Sequence, residues 1–336
     1  MSYSASEIII YKTDNIQIPD IHHAIISNRK DWLSRHYYND DLILYHYTNL
    51  EGIRGIITER AIRCTQFDYL NDPLELQYGR ELIIQKLKYF RNIERNLIIT
   101  NFLNDLINDS GSLGKSPSHS IFMASFCDNG NLLSQWRGYA SRGCGYNLGI
   151  SLDSDTQACD DLHNPVKFYL RKIIYEFDEQ ESMIEFYLSK LIDAISSSIK
   201  SFENYSKIDR ETILSKIGLH LKNLLVDIII SLKNPVYARE KEWRLIRVIR
   251  WDELTTIINF RGKNDELIPY VNTIIFNRYM DSLNFPLCKI KFGPMLDNKK
   301  TQKALELFVQ NSLALENIIK LKDDIIINDS GYELND

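Results

Sequence analysis

Nothing in this chain is spaced to hold a structural metal or a disulfide framework. Its five cysteines (Cys64, Cys127, Cys144, Cys159 and Cys288) are far apart, odd in number and never in a C-x-x-C pair. That pattern argues against a zinc ribbon and against a set of paired bridges. Scattered reduced thiols fit a cytosol. Cys144, between Gly143 and Gly145, reads as buried filler rather than as a reactive group. Long apolar runs are missing as well. The most apolar windows, such as residues 224–232, fall far short of the ~20 residues that span a bilayer. Residues 1–7 lack the basic start and apolar stretch of a signal peptide. A cytoplasmic protein with no membrane partner is expected. A basic excess is also absent: the net charge is −5, against the strong footprint of a general nucleic-acid coat. A local basic patch remains, with Lys233, Arg239, Lys241, Arg244, Arg247 and Arg250 close in sequence.

Several catalytic signatures are missing too. No G-x-G-x-x-G follows a strand, so a nicotinamide nucleotide would not be held in the dehydrogenase manner. There is no G-x-S-x-G elbow, no H-E-x-x-H and no compact Asp/Glu set for a metal nuclease. The stretch from Asp109 to Pro117 superficially resembles a phosphate-binding loop. However, Asp109 stands where the first glycine belongs, a helix precedes it, and Pro117 blocks the next helical turn. It reads as a flexible loop.

What is present is ordinary globular composition, 44% hydrophobic and 25% charged, enough for one large domain with an insertion or for two small ones. Residues 21–38 read as a helix carrying His22, His23 and His36; the adjacent pair His22-His23 points to different faces and is a poor metal grip. Residues 42–47 read as a strand and 49–59 as a helix capped by Thr48 or Asn49. A strand over 61–65 leads to a loop over 69–73 and a helix over 74–93. Strands are expected at 119–127, 146–152, 168–177, 242–250, 254–260, 267–276 and 287–293. Helices are expected at 132–139 and 300–316. Residues 179–204 and 207–232 show apolar positions three and four apart. The order is mixed rather than regularly alternating, which predicts an α+β fold. The expected domains are an N-terminal helical segment over 1–40, one core from 41–177 and 233–327, a helical hairpin inserted at 178–232, and a loose polar tail over 328–336.

Four clusters stand out as chemistry-bearing: Tyr45-His46-Tyr47-Thr48, Tyr69-Leu70-Asn71-Asp72-Pro73, Ser134-Gln135-Trp136-Arg137 and Glu240-Lys241-Glu242-Trp243-Arg244. Strand alternation sets His46 opposite to Tyr45 and Tyr47. Either the histidine faces a ligand while the tyrosines pack, or the reverse. The plainer alternative is a core histidine satisfied by a backbone carbonyl. Tyr69 in a loop can stack on a planar ring, or can anchor a turn closed by Asn71 and Asp72. Arg137 suits phosphate through its planar fork; otherwise Trp136 anchors a helix and Arg137 pairs with a carboxylate such as Asp72. Alternation puts Glu240, Glu242 and Arg244 on one strand face. A carboxylate there can hold a ribose hydroxyl and stabilise a developing cation, or make a cross-strand ion pair.

These motifs, with Gly293-Pro294 and Leu50-Glu51-Gly52-Ile53, resemble in order and type a widespread bacterial family of unknown function, over roughly residues 40–300. A strand ending in Y-H-x-T followed by a helix is also similar to the opening of ADP-ribosyltransferase folds, including their DNA-modifying toxins. That second resemblance implies a split β-sheet core with flanking helices, and NAD as substrate with no metal. It implies His46 on the nicotinamide ribose, with Tyr47 and Thr48 beside it, and an aromatic on nicotinamide (Tyr69, with Tyr139 in reserve). Arg137 would pair with the pyrophosphate, and Trp136, Asn71 and Asp72 would join the cofactor-binding set. Glu242 would stabilise the oxocarbenium-like cation and Glu240 would act as base towards the acceptor. The implied activity is ADP-ribose transfer to nucleic acid or protein, or NAD hydrolysis, in a toxin or phage-defence role. The alternatives are a non-catalytic nucleotide-sensing module, a nucleic-acid-binding module and a structural protein, with oligomerisation open.

Overall fold

The computed structural model describes residues 42–70, 73–109, 119–153, 156–199, 225–263, 265–277, 285–314 and 325–331, with scattered positions between 206 and 222. The expected helix over 21–38, the small-residue loop after Asp109, and Asn71 and Asp72 lie outside them. The chain divides into two compact units, whose described parts fall within residues 73–109 and 174–235, and within 42–70, 119–173 and 236–331. The segment expected as a lone inserted hairpin therefore shares its unit with the helices before residue 110.

The helical unit contains α2 (Pro73–Ile93), α3 (Leu97–Asn108) and α5 (Phe177–Ile199), and the described residues from 211 to 229 are helical as well. Its core joins Ile83 and Leu87 of α2, Ile99 and Leu103 of α3, and Leu188 and Leu191 of α5, at the three- and four-residue spacing of one helix face. Gln180 is fully buried and donates to the carbonyls of Ile174 (2.7 Å) and Lys233 (2.8 Å) while accepting from the Tyr78 hydroxyl (2.7 Å). Among the described residues no helix is long and apolar enough to cross a membrane.

The other unit is built on a twelve-stranded sheet. Its strands are β1 (Leu42–Thr48), β2 (Ile62–Gln66), β3 (His119–Cys127), β4 (Tyr146–Leu152), β5 (Thr156–Cys159), β6 (Pro165–Val166), β7 (Tyr169–Lys172), β8 (Glu242–Arg250), β9 (Ile258–Lys263), β10 (Glu266–Asn277), β11 (Leu287–Phe292) and β12 (Ile326–Asp329). All pairings are antiparallel except β11 with β12. With the helices, this is the expected α+β class.

The sheet splits at β3. One edge of β3 pairs with β8 along its whole length, from His119↔Arg250 to Cys127↔Glu242. The other edge meets two different strands. Cys127 pairs with Tyr45 of β1, whereas Met123 and Phe122 pair with Thr65 and Gln66 of β2. From β1 one arm runs out through β4, β11 and β12; from β2 the other runs through β10 to β5 and β6, with β9 also on β10. Residues 124–126 face the gap between the arms. Every position of β3 is buried except Ser125, the one polar residue within its apolar Met-Ala-Ser-Phe-Cys run.

Helix α1 (Leu50–Glu59) follows β1 directly. The Asn49 side chain caps it by accepting from the Gly52 amide (2.8 Å), and Ile53, Ile56 and Ile57 face the core. Helix α4 (Leu133–Gly138) lies in the connection from β3 to β4. The turn after β11 grips the end of this connection: Gly293 donates to the Gly145 carbonyl (2.9 Å) and Met295 to that of Gly143 (3.1 Å). A Cβ on Gly293 would collide with the Gly143 carbonyl, which accounts for the Gly293-Pro294 motif.

Four expectations are corrected. Residues 251–257 form helix α6 (Trp251–Ile257), and the strand begins only at Ile258. Leu254 and Ile257 are its buried positions, a helical i, i+3 spacing, and Asp252 and Glu253 favour a helix N-terminus. The strand expected over 168–177 covers only Tyr169–Lys172, because Phe177 opens α5 with Asp178 and Glu179 in its first turn. Asn328 and Asp329, placed in a loose tail, belong to β12, which follows α7 (Asn298–Ala314) in the chain and pairs with β11. Finally, Cys144 is exposed; Cys64, Cys127 and Cys159 are the buried ones. Burial pushes the Cys64 and Cys127 thiols up to about 11, so both remain protonated and inert at neutral pH.

Candidate active site

A cavity of about 380 Å³ opens at the split, within the ~300–1,000 Å³ typical of small-molecule sites. Its floor is the unpaired stretch of β3. Strand β1 supplies His46, whose Nδ1 lies 2.9 Å from the Ser125 carbonyl oxygen. A carbonyl only accepts, so Nδ1 carries the proton and Nε2 carries a lone pair. The imidazole thus fills a gap in the backbone ladder with one nitrogen and leaves the other as a hydrogen-bond acceptor. The ring also packs on Phe126, with centroids 5.4 Å apart. His46 is thus satisfied by a backbone carbonyl and lines the cavity at the same time.

Desolvation lowers the His46 pKa from its ordinary value, more than the Ser125 contact raises it, and Arg261 lowers it further. Burial lowers His119 in the same direction. In the unfolded chain both titrate near 6.5. As pH falls below about 6.5 the unfolded chain takes up protons that the folded chain refuses. Stability is therefore flat above about pH 7 and declines below 6.5, with a limiting slope of about 1.4 kcal/mol per pH unit for each histidine. His46→Asn should make the decline shallower in urea unfolding followed between pH 7.5 and 5. An unchanged slope would show that His46 titrates normally in the folded protein.

Two carboxylates line the same cavity, Glu240 and Glu242. Between them Lys241 adopts a left-handed backbone conformation, φ 48°, uncommon for a residue with a Cβ, as the chain turns from a 3₁₀ segment (Pro235–Glu240) into β8. Glu240 is half-buried and accepts from the Tyr139 hydroxyl at 3.3 Å. Glu242 is 6% exposed and takes two hydrogen bonds from Arg244, at 2.9 Å (Nε to Oε1) and 3.2 Å (Nη2 to Oε2). Arg244 is 1% exposed. Burial pulls its guanidinium down to about 9, still charged at neutral pH. The ion pair runs along one strand face rather than across strands.

The opposite side of the cavity is basic. Arg63 of β2 and Arg261 of β9 both lie over the Tyr270 ring, at 5.3 and 6.0 Å from its centroid. Arg63 is held by Glu59, with Nε 3.2 Å from Oε2 and Nη2 on Oε1. Arg261 donates through Nη2 to the Thr65 hydroxyl (2.8 Å). Residues 135–245 match the model of a family described as protein of unknown function (DUF2971). No curated protein and no solved structure matches the chain. The DUF2971 match contains Gln135, Tyr139, Glu240 and Glu242 of the cavity; His46, Arg63 and Arg261 lie outside it.

The remaining candidates are placed as follows. Tyr47 and Thr48 line the cavity, but the Tyr47 hydroxyl is engaged, donating to the Asn129 carbonyl and accepting from the Leu132 amide, both at 3.0 Å. Trp136 is 0% exposed, donates through Nε1 to Asn131 (3.1 Å) and meets Tyr47 edge-on at 5.0 Å. It anchors α4. Arg137 is exposed and Tyr69 is 47% exposed; neither is among the cavity residues, whereas the reserve aromatic Tyr139 is. Asn71 and Asp72 lie outside the described residues. Sequence reasoning passed over Ser125, Arg63 and Arg261. The available signals were a lone serine in an apolar strand and an arginine between the buried Ile62 and Cys64. Among the described residues no cluster of His, Cys, Asp and Glu could hold a metal ion.

Proposed function

We propose that the cavity binds NAD and breaks its nicotinamide–ribose bond, passing ADP-ribose to a nucleic acid, a protein or water. The observation that carries this reading is the gathering of His46, Glu240 and Glu242 around one cavity at the split of the sheet. Nε2 of His46 would accept a hydrogen bond from a ribose hydroxyl. Glu242, fixed by Arg244, keeps lone pairs for the ribose 2′-hydroxyl and carries the negative charge that a cation forming at C1′ requires. The C1′–N1 bond breaks with its electron pair going to the nicotinamide nitrogen. The acceptor then adds to C1′ and its proton passes to Glu240. Tyr139 positions Glu240 and offers a ring to the leaving group.

One observation favours a second reading, a sensing pocket without turnover: both Glu242 oxygens are already engaged by Arg244. One experiment separates the two. Protein is incubated with NAD labelled in the adenylate half, alone and with DNA, RNA or protein mixtures, while free nicotinamide and labelled macromolecules are followed. Nicotinamide release with label transfer supports the transferase; release alone supports the hydrolase; binding without release leaves the sensor. His46→Asn is the informative variant. The Asn amide can still donate to the Ser125 carbonyl, but no group remains at the Nε2 position. Turnover should fall roughly 10- to 100-fold, the scale of one lost substrate hydrogen bond left without a partner, with little change in stability.

A further inference from the structure

We infer that Arg63 and Arg261, set about Tyr270, form the seat for a phosphate or phosphoanhydride group of the ligand. The inference rests on reading the cavity as a nucleotide site, and it moves the phosphate-binding role from Arg137 to the β2–β10–β9 arm.

The register fixes the arrangement. Tyr270 stands opposite Thr65 of β2 and Asn259 of β9, while Arg63 stands opposite Asn272 and Arg261 opposite Ile268. Residues directly opposite, or two apart, share a sheet face. Arg63 and Arg261 therefore sit diagonally on either side of Tyr270 on one face. The ring supports both guanidiniums through cation–π contact.

The charge is unbalanced. Glu59 pairs with Arg63, but among the described residues Arg261 has no carboxylate partner. Its one hydrogen bond goes to a neutral hydroxyl. The guanidinium of Arg63 beside it lowers its pKa, after desolvation. Two cations held together, one of them uncompensated, repel each other until an anion lies between them. The forked N–H groups of arginine match phosphate oxygens in pairs.

The backbone is adapted to this placement. Gly55 lies inside α1, where glycine is disfavoured by about 1 kcal/mol relative to alanine. A Cβ there would come within 2.6 Å of Arg63 Cζ. The helix gives up a side chain where the guanidinium crosses it, and this fixes Arg63 at the cavity wall with Nη1 outside the Glu59 pair.

The test measures binding of ADP-ribose, inorganic pyrophosphate and nicotinamide riboside to the whole chain by titration calorimetry, for the wild type and for Arg261→Gln. Arg261 is exposed, so the variant should fold, and thermal unfolding confirms this. ADP-ribose and pyrophosphate are expected to bind roughly 10- to 100-fold more weakly to the variant. Nicotinamide riboside, which has no phosphate, should bind both proteins alike. Arg261→Lys should recover only part of the loss, because the charge returns without the fork. Equal affinity of wild type and Arg261→Gln for ADP-ribose overturns the seat, as does a wild type that binds neither phosphate-bearing probe. If those probes bind in an Arg261-dependent way but NAD is not cleaved, the seat stands and the NAD-cleavage reading falls. If NAD is cleaved with kcat/KM untouched by Arg261→Gln, the seat falls and that reading stands.

Discussion

Under the proposed NAD cleavage, Glu242→Gln is expected to release nicotinamide roughly 10²- to 10³-fold more slowly than the wild type, the scale for losing one preorganised electrostatic stabiliser. Glutamine keeps the shape of glutamate and can still meet a ribose hydroxyl, so NAD affinity should change little. What it removes is the negative charge near C1′, which matters only as the bond breaks. The loss therefore belongs in kcat rather than in KM. The substitution also takes the charge away from Arg244, which is 1% exposed. The variant must be assayed at a temperature where its unfolding curve shows it fully folded. Turnover near that of the wild type would remove Glu242 from the chemistry. It would leave Arg244 as the reason for this carboxylate, and would move the cavity towards the sensing role.

The parts of the fold written in strict local patterns were legible in the sequence. Strands β3 and β8 were read to the residue, because each is a nine-residue run bounded by clear polarity changes. The capped helix after β1 was legible for the same reason, with Asn49 before Ile53, Ile56 and Ile57. Where β-branched residues sit on a short amphipathic helix, as in α6, apolar composition suggested a strand. Only the burial of Leu254 and Ile257 reveals the helical period. Long-range features were out of reach. That β3 meets β1 at Cys127 and β2 at Met123 is a matter of register between segments up to about eighty residues apart. No local pattern encodes the gap, apart from the serine within it.

The candidate site divides the same way. The Y-H-Y-T and E-K-E motifs did locate one wall each of the cavity, because both sit at strand ends where the chain turns. Of the S-Q-W-R motif only Gln135 lines the cavity. Gln135 of α4 and Tyr139 at its C-terminal cap, four apart, line the cavity, whereas Trp136 is buried and Arg137 is exposed. Trp136 holds the helix in place, and its plainer neighbours meet the cavity. Arg63 and Arg261 come together only through pairing of β2 and β9 on β10, and nearly two hundred residues separate them in sequence.

Arg244→Met is expected to destabilise the sheet-bearing unit by about 3–5 kcal/mol, the effect of leaving one member of a buried ion pair without its partner. Methionine fills much of the space of the arginine stem but donates no hydrogen bond. Glu242, 6% exposed, would then keep a buried charge without the two bonds that Arg244 supplies. Arg171 stands directly opposite Arg244 in the β7–β8 register and is itself buried, so partial compensation across the strands sets the lower end of the range. Against a whole-domain stability of about 5–15 kcal/mol, such a loss is visible as a large shift of the urea midpoint. Trp243, in the core next to the pair, makes tryptophan fluorescence one suitable probe, with circular dichroism as a check on the helical unit. The double variant Glu242→Met/Arg244→Met removes both charges and should regain most of the stability, because a buried pair replaced by apolar groups is often neutral. A coupling energy above about 1 kcal/mol in this cycle would mean that the pair is one structural unit. An Arg244→Met variant that loses less than about 1 kcal/mol would mean that the Glu242 carboxylate is satisfied without Arg244. A double variant that folds as stably as the wild type, yet releases no nicotinamide, would separate the chemistry of Glu242 from its part in holding β8.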